Sequence, residues 1–312
     1  MYKKTISTIF TSLFITQLSY AVSNQAVNKA EPENLSVYLN QIISPITYRN
    51  HTQVDELNRV SAWIKGQMQK FGIPCDYQNY QVDAKKYRNV VCELNIGASK
   101  NIIVGSHYDV HDDTDGADDN ASGVAGVLET ARILSNEKSR LKNNVEFVFY
   151  TLEEPPYFRT EDMGSAVHAN AAQKYKDKIA GVYILEMIGY FDTRNIQDYP
   201  AGLKLFYPAH GNFIGAISNF NSSSLASNYC NAMKALNKLD CQRLIAPSFV
   251  TGVDFSDHLN YWNNGIPAIM ITDTAFFRNK NYHTPQDKVE TLNLTKMSYV
   301  IDGVVQTLLN HK

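Results

Sequence analysis

The sequence predicts an α/β fold: one domain with a central, mostly parallel twisted sheet and helices on both faces. Short apolar runs typical of buried strands alternate with longer segments whose apolar residues recur at helical spacing. The chain has 312 residues, of which 44% are hydrophobic and 19% are charged, and this is enough to bury a large core. No internal repeat or shift in composition divides the chain, so we expect a single domain over residues 33–312.

The elements follow from periodicity in chain order. Helices are predicted where apolar residues recur every three or four positions, and strands where a run alternates or is continuously apolar. The predicted helices cover residues 35–43, 53–71, 124–134, 164–175, 227–239, 255–263 and 294–309. The predicted strands cover residues 76–82, 87–94, 101–106, 145–152, 181–187, 203–207 and 266–272. Strands that alternate with helices in this way favour parallel pairs joined by helical crossovers.

The N-terminus has the pattern of a secretory signal peptide. Residues 1–4 are positively charged, residues 6–18 are mostly apolar, and Ser19 and Ala21 are small residues at the positions that a signal peptidase reads. An uncleaved anchor is the alternative, but the apolar run is shorter than the roughly 20 residues of a membrane span. We therefore expect a signal over residues 1–21, a linker over residues 22–32, and a secreted or periplasmic protein without a stable membrane anchor.

The four cysteines suggest two disulfides, because an even number in an exported chain favours pairing. Cys75 and Cys92 flank a predicted hairpin, and Cys230 and Cys241 flank a predicted helix. Four cysteines allow three connectivities. We choose the pairs Cys75–Cys92 and Cys230–Cys241 only because they close short loops, and four buried free thiols are the alternative.

The charge of the chain argues against a nucleic acid as partner. The formal net charge is −2, and no basic run occurs in the sequence.

Residues 111–116 resemble a calcium loop but lack the spacing of an EF-hand, so we interpret them as a solvated turn. Asp257 and His258 are interpreted as structural residues or as the rim of a site.

Acids and histidines follow four of the predicted strands. They are His107 and Asp109, then Glu153 and Glu154, then Glu186, and finally His283, with Asp119 in the Gly- and Asp-rich turn after the first of these strands. Any one of them could be an ordinary surface acid or a buried histidine. Together they are costly at strand ends without a cation, and the carboxyl ends of parallel strands share one edge of a sheet. The set therefore predicts a metal site. Asp109 lies two residues from His107 on an extended chain and can orient that imidazole.

Five motifs resemble those of the zinc aminopeptidase family, which includes bacterial leucyl aminopeptidases, aminopeptidase Y and glutamate carboxypeptidase II, with glutaminyl cyclase as a relative. The motifs are Gly105-Ser106-His107-x-Asp109, Gly116-Ala117-Asp118-Asp119-Asn120-x-Ser122-Gly123, Glu153-Glu154, Leu185-Glu186-Met187-Ile188-Gly189 and Tyr282-His283-Thr284-Pro285-x-Asp287. The resemblance runs from about residue 49 to the C-terminus. Five motifs in the family's order and spacing make it specific.

The resemblance implies two zinc ions per chain. Asp119 would bridge them, Glu154 and His283 would complete one site, and His107 and Glu186 would complete the other. Two metals about 3.5–4 Å apart need a shared carboxylate, lower the pKa of a shared water and polarise the scissile carbonyl. The family also implies a cis peptide bond after Asp119.

The resemblance also assigns catalytic roles. Glu153 would be the general base that takes a proton from the water and passes it to the leaving amine. Tyr282, beside the ligand His283, could donate a hydrogen bond to the oxyanion.

Two features depart from the family pattern. Many relatives have Asp where this chain has Glu186, and the extra methylene shifts the carboxylate or requires a wider site for the second ion. The segment 155–162 leaves directly from the glutamate pair and is interpreted as a wall of the substrate cleft rather than a rigid surface loop. Apolar and aromatic side chains that could line a pocket, or belong to the core, are Ile188, Tyr190, Phe191, Phe255 and Phe277.

These inferences favour a secreted di-zinc metallopeptidase, an aminopeptidase that hydrolyses N-terminal peptide bonds of a peptide substrate. Glutaminyl cyclase is one alternative, but it works with one zinc, and the retention of His107 and Glu186 argues against it. A non-catalytic, receptor-like binding protein of the same fold is another, but such a chain should have lost Glu153 or a ligand. Amidase action on another secreted substrate is a further possibility within enzymes.

Overall fold

A computed structural model describes residues 29–44, 46–200 and 202–311. The predicted signal over residues 1–21 and most of the predicted linker lie outside the described residues. The helices are α1 (Pro32–Ile42), α2 (Val54–Lys70), α3 (Gly123–Asn136), α4 (Gly164–Ala172), α5 (Ser223–Leu236), α6 (His258–Asn263) and α7 (Leu294–Asn310). The strands are β1 (Cys75–Val82), β2 (Lys85–Leu94), β3 (Asn101–His107), β4 (Asn144–Tyr150), β5 (Ile179–Glu186), β6 (Phe213–Ser218), β7 (Asp240–Ile245) and β8 (Ala268–Thr272).

The eight strands form one twisted sheet in the order β1-β2-β4-β3-β5-β8-β6-β7. The four central strands, β4, β3, β5 and β8, are parallel, as the sequence predicts. The borders are mixed. β1 and β2 add to β4 as an antiparallel hairpin, β6 runs antiparallel to β8, and β7 runs parallel to β6. The carboxyl ends of β3, β4 and β5 therefore meet at one edge.

The sequence prediction is wrong in one border region. The strands β6 and β7 were not predicted, because β6 is short and interrupted by Gly215, and β7 is an edge strand with mostly polar residues. The strand predicted over residues 203–207 is instead a loop that contains the helical turn Leu203–Leu205. Its apolar side chains Leu205 and Phe206 are 87% and 80% exposed, so alternation here does not reflect burial against a sheet.

Helices cover both faces of the sheet. On one face α3 packs on β3 and β5, α5 packs on β6 and β7, and α7 lies against both helices. The main core fills this layer, and it includes side chains of α1 and α2. On the other face α4 packs on β2 and α6 packs on β5 and β8, over a smaller apolar cluster. Within the described residues, no helix has the length and apolarity that crossing a membrane requires.

Both chosen disulfides form in the structure. Cys75 and Cys92 are directly paired residues of β1 and β2, with Cα atoms 4.0 Å apart. Cys230 of α5 is joined to Cys241 of β7, with Cα atoms 5.2 Å apart. The first crosslinks the hairpin at one border of the sheet, and the second ties the opposite edge strand to a helix. Such bonds are compatible with an extracellular or periplasmic location.

Candidate metal centre

The predicted site residues come together at the carboxyl edge of the central strands. The side chains that meet there are His107 at the end of β3, Glu153 and Glu154 after β4, Glu186 at the end of β5, Asp119 in the turn before α3, and His283 after β8. All are buried except His283, whose side chain is 22% exposed. Crossover connections bring residues far apart in sequence to this edge, which explains why separate motifs form one cluster.

Asp119 joins two halves of the cluster. Its Oδ1 lies 3.4 Å from His107 Nε2, and that nitrogen lies 3.3 Å from Glu186 Oε2. Its Oδ2 lies 3.1 Å from His283 Nε2, and that nitrogen lies 3.1 Å from Glu154 Oε2. Each half thus contains one imidazole nitrogen, one oxygen of Asp119 and one oxygen of a glutamate.

These separations fit zinc in both halves. Tetrahedral zinc with bonds of about 2.0–2.1 Å places neighbouring ligand atoms roughly 3.3 Å apart. The separations between the imidazole nitrogens and carboxylate oxygens are 3.1–3.4 Å. Ligand atoms of His107, Asp119 and Glu154 also lie within 4.8 Å of one another, so the halves are adjacent. A mixed set of imidazoles and carboxylates is a donor set that zinc binds.

The electrostatics of the cluster favour a cation. Burial raises the pKa of Glu153 well above its ordinary value, and Glu154 and Glu186 add to this effect, although His107 opposes it. Burial and Asp119 raise the pKa of Glu154 to about 8. Burial alone lowers the pKa of His283, but hydrogen bonds from its imidazole to Asp119 and Glu154 raise it to about 10. Carboxylates therefore outnumber the positive charges available to them, and a bound cation would relieve this imbalance.

Asp109 contacts both the histidine and the glutamate pair. Its Oδ1 lies 3.5 Å from His107 Nδ1, as predicted for a residue that orients the ring. The same carboxylate accepts hydrogen bonds from the backbone N–H groups of Glu153 and Glu154, at 3.2 and 3.1 Å. One buried carboxylate therefore couples the position of a ligand on β3 to two acids that follow β4.

The longer side chain of Glu186 is accommodated by two donors. Ser256 Oγ donates a hydrogen bond of 2.8 Å to Glu186 Oε2, and Asn120 Nδ2 donates one of 3.1 Å to the same oxygen. Asn120 also donates to the carbonyl of Leu185 at 3.0 Å. These contacts hold the carboxylate beside His107. The peptide bond between Asp119 and Asn120 is cis, as the resemblance implies.

The acidic turn that carries Asp119 is fixed by other carboxylates. Asp287 accepts hydrogen bonds from the backbone N–H groups of Asp118 and Asp119, at 2.9 and 3.0 Å. Asp118 in turn accepts from the N–H of Gly189 and from Asn279 Nδ2, at 2.9 and 2.8 Å. The loops after β5 and β8 are thereby tied to the turn after β3 that carries Asp119.

Strained backbone lies next to the cluster. Leu152, Met187 and His283 have positive φ angles of 60°, 47° and 56°. Non-glycine residues in this region cost on the order of 1–3 kcal/mol and persist only where the surroundings hold them. Leu152 precedes Glu153, Met187 follows Glu186, and His283 is itself a candidate ligand. The strain therefore coincides with the residues whose orientation the site needs.

A cleft opens from the cluster and offers about 230 Å³ of space. Tyr282 lines it, and burial together with the charge of Asp119 raises the pKa of this phenol, so its hydroxyl stays a donor. Pro155 and Phe158 also line the cleft, which supports the interpretation of segment 155–162 as a wall. Of the five apolar residues considered for a pocket, Phe255 and Phe277 line the cleft, whereas Ile188 is buried in the core. Tyr190 and Phe191 are not among the lining residues.

Some residues at the site were missed or assigned no role from the sequence. Ser256, which contacts Glu186, was assigned no role. The ring of His111 lies parallel to that of His283, although the segment 111–116 was interpreted as a solvated turn. The only signal for His111 is its nearness to His107 in the chain. Asp257 and His258 are buried, and His258 Nε2 lies 2.8 Å from the carbonyl oxygen of Val253, which is a structural contact.

Comparisons with known sequences match one protein family over most of the chain. The model of Peptidase family M28 matches residues 89–308. YfbL of Escherichia coli K12, an uncharacterized protein, is 40% identical over 296 residues, which cover 91% of this chain and 89% of that protein. A probable leucine aminopeptidase of Trichophyton verrucosum is 26% identical over 303 residues, which cover 90% of this chain and 71% of the relative.

Solved structures share the fold. The LapA aminopeptidase of Legionella pneumophila superposes with a TM-score of 0.68 at 20% identity, over 89% of this chain and 71% of that chain. A glutaminyl cyclase of Bacteroides thetaiotaomicron superposes with a TM-score of 0.69 at 17% identity, over 92% of this chain and 100% of that chain. A Zn-dependent exopeptidase of Parabacteroides distasonis superposes with a TM-score of 0.66 at 18% identity, over 91% of this chain and 100% of that chain. Taken with the family match over most of the chain, the chain belongs to peptidase family M28 and is a metallopeptidase.

Proposed function

We propose that this protein is a secreted di-zinc aminopeptidase that hydrolyses the first peptide bond of a peptide substrate. The observation that carries the proposal is the division of Asp119 between two half-sites, one with His107 and Glu186 and the other with His283 and Glu154. Each half-site has its own imidazole, so neither depends on the other for nitrogen ligands. The two disulfides and the signal pattern of residues 1–21 support secretion.

Zinc bound in these half-sites would polarise the scissile carbonyl and make water acidic enough to react near neutral pH. The protein supplies the proton transfer. Glu153 lines the cleft, and its Oε2 lies 3.8 Å from His107 Nε2, beyond the closest contacts of the proposed ligands. Its raised pKa brings it nearer the pH at which a general base works best. Glu153 would take a proton from the attacking water and deliver it to the leaving amine as the C–N bond breaks.

Tyr282 would donate a hydrogen bond to the oxyanion. Its ring stacks on His283, with centroids 3.7 Å apart, and the residue lines the cleft. The raised pKa keeps the phenol protonated over the working pH range. A donor held beside a proposed zinc ligand is well placed for charge that develops on the carbonyl oxygen.

Glutaminyl cyclase is the second candidate, because chains of that name share the fold over nearly the whole length of this one. A cyclase that uses one zinc does not need the half-site of His107 and Glu186. Here that half-site is complete, with Glu186 held by Ser256 and Asn120. The peptidase therefore remains the better match.

The test combines metal analysis with a substrate panel. Purified protein loaded with zinc should contain two ions per chain, and Glu186→Ala should contain about one. It should hydrolyse aminoacyl anilides, lose this activity with chelator, regain it with zinc, and leave N-acetylated peptides intact. One zinc per chain, together with cyclisation of N-terminal glutaminyl peptides and no anilide hydrolysis, would establish the cyclase instead.

A further inference from the structure

The cleft extends well beyond the metal centre, across the face of the outer strands. Glu186 of β5 is paired with Thr272 of β8, Thr272 with Gly215 of β6, and Gly215 with Gln242 of β7. Paired residues on adjacent strands point to the same face of a sheet. These residues therefore form one row that leads from a proposed zinc ligand to the edge strand, and all four line the cleft.

The row is the bottom of a trough. Gly215, at its centre, has no side chain, and an added Cβ would lie 3.1 Å from the carbonyl oxygen of Thr272. The neighbouring row on the same face, Met270, Ile217 and Leu244, forms an apolar side wall. The opposite face of β6 packs into the main core, and this packing fixes the position of the floor.

The trough is longer than one amino-acid side chain requires. Strands in a sheet lie about 4.8 Å apart, so three steps from β5 to β7 span about 14 Å. An extended alkyl chain advances about 1.25 Å per carbon–carbon bond, given a bond of about 1.5 Å and a near-tetrahedral angle. The length therefore matches a linear chain of about ten to twelve carbons.

The far end of the trough is also apolar. Tyr199 and Tyr207 line this end, with their rings stacked at 5.6 Å, and Tyr207 donates a hydrogen bond of 2.7 Å to the carbonyl of Arg243 on β7. The neighbouring side chains of Leu205 and Phe206 are 87% and 80% exposed. An acyl chain that reaches the edge strand would thus meet the two aromatic rings beside Gln242 of the floor.

Three polar side chains of the trough, Gln197, Thr272 and Thr274, already have hydrogen-bond partners. Gln197 Nε2 donates to Thr274 Oγ1 at 2.8 Å and Gln197 Oε1 accepts from Arg278. Thr272 Oγ1 accepts from the N–H of Thr274 at 3.0 Å. The strand β6, in the middle of the floor, is paired on both sides within the sheet. An extended peptide would bury its own N–H and C=O groups here with few partners, whereas an alkyl chain has no such groups.

We propose that this metallopeptidase also hydrolyses N-acyl amides in which the acyl group is a linear chain of about ten to twelve carbons lying in the trough. The proposal rests on the metal-assisted amide hydrolysis proposed above. Water adds to the acyl carbonyl, the C–N bond breaks, and the products are a fatty acid and a free amine. Glu153 transfers the proton from water to the amine, so no other reactant is needed.

The test is a series of linear acyl amides of one fluorogenic amine, with two to sixteen carbons, assayed on the zinc-loaded enzyme beside the leucyl amide of that amine. Each methylene buried in the trough should raise kcat/KM about fourfold, up to about twelve carbons. Turnover of the leucyl amide without turnover of acyl amides longer than four carbons would overturn this proposal alone. Absence of turnover on every substrate by zinc-loaded protein would overturn the proposed function and this proposal with it.

Two variants test whether the acyl chain of the substrate lies in the trough. Gly215→Val places a side chain in the middle of the floor and should lower the ratio of kcat/KM for dodecanoyl over butanoyl amide at least tenfold. Leu244→Asn makes the far end polar and should lower the same ratio without shortening the trough. Gly66→Val is the matched control, because a Cβ added at Gly66 on α2 meets no atom within 4 Å. If both trough variants kept the wild-type ratio of kcat/KM, the acyl chain would not lie in the trough.

Discussion

The imidazole of His111 lies parallel to that of His283, with ring centroids 3.9 Å apart and planes inclined by 10°. The ring of Tyr282 lies 3.7 Å from the same imidazole, inclined by 17°. Two rings so close and nearly parallel to a third cannot share one of its faces. His283 is therefore held between an aromatic ring on each side, which limits rotation of a proposed zinc ligand whose backbone is strained.

His111→Ala should weaken zinc binding in the half-site of His283. Losing one of the stacked rings frees the imidazole to rotate, and groups that orient a ligand typically contribute 10- to 100-fold to metal affinity. We expect the zinc dissociation constant to rise about tenfold, measured by competition with a chelator. His111→Phe keeps a flat ring and should restore most of the affinity. Equal affinities for the alanine and phenylalanine variants would show that stacking contributes nothing.

Glu153→Ala should remove catalysis and leave the metal in place. Glu153 lies farther from the imidazole of His107 than Glu186 does, at 3.8 against 3.3 Å, and it is not part of either half-site. We expect kcat to fall by about 10²- to 10⁴-fold, the usual contribution of a general base. Zinc content measured by mass spectrometry should be unchanged, whereas His283→Ala should lose zinc as well. A kcat of Glu153→Ala close to that of the wild type would rule out the role of Glu153 as the base.

Zinc binding should release protons and strengthen as the pH rises. In the metal-free protein the pKa of His283 is raised to about 10 and that of Glu154 to about 8, so both carry protons at pH 7. Ligands must lose their protons to bind a metal. The affinity should therefore rise with pH between 6 and 8, by about tenfold per pH unit for each proton released. Calorimetry in buffers of different ionisation enthalpy measures this release, and affinity independent of pH between 6 and 8 would contradict it.

Removing the disulfide Cys230–Cys241 should destabilise the edge of the sheet. The bond closes a loop of 11 residues, and loops of this length are worth about 3 kcal/mol in the chain-entropy model. The double variant Cys230→Ser with Cys241→Ser should lower the free energy of unfolding in urea by about that amount. Replacing Cys75 and Cys92 is the matched comparison, because that bond closes a loop of 17 residues. A reducing agent that leaves the wild-type unfolding curve unchanged would contradict the prediction.

The central strands could be predicted because they are buried on both faces. Residues 101–106, 145–152 and 181–187 are mostly apolar runs, and each lies at or within a few residues of the strand that forms. Burial on both faces removes any need for polar alternation, so these strands stand out from composition alone. The acids and histidines stand out for the related reason that they interrupt these runs where the chain leaves the core.

The outer strands could not be predicted in the same way. One face of β6 and β7 lines a cleft and not a packed layer, so their sequences lack a clear apolar period. The loop at residues 203–207 has the alternation that these strands lack, yet its side chains Leu205 and Phe206 face solvent. Short periodic runs do not show whether a side chain meets a sheet, a cleft or water, because that depends on what packs above it.

The sequence by itself determined the parallel centre of the sheet, the set of acids and histidines at its edge, and the family to which the chain belongs, because buried runs and chemically costly residues leave local marks. Only the tertiary structure decided that the two oxygens of Asp119 face different histidines, that His111 stacks on His283, and that the row from Glu186 to Gln242 forms the floor of a trough. These relationships join residues up to about 170 positions apart through strand pairing and crossover connections. Local sequence carries no record of such distances, because they are set by packing between elements.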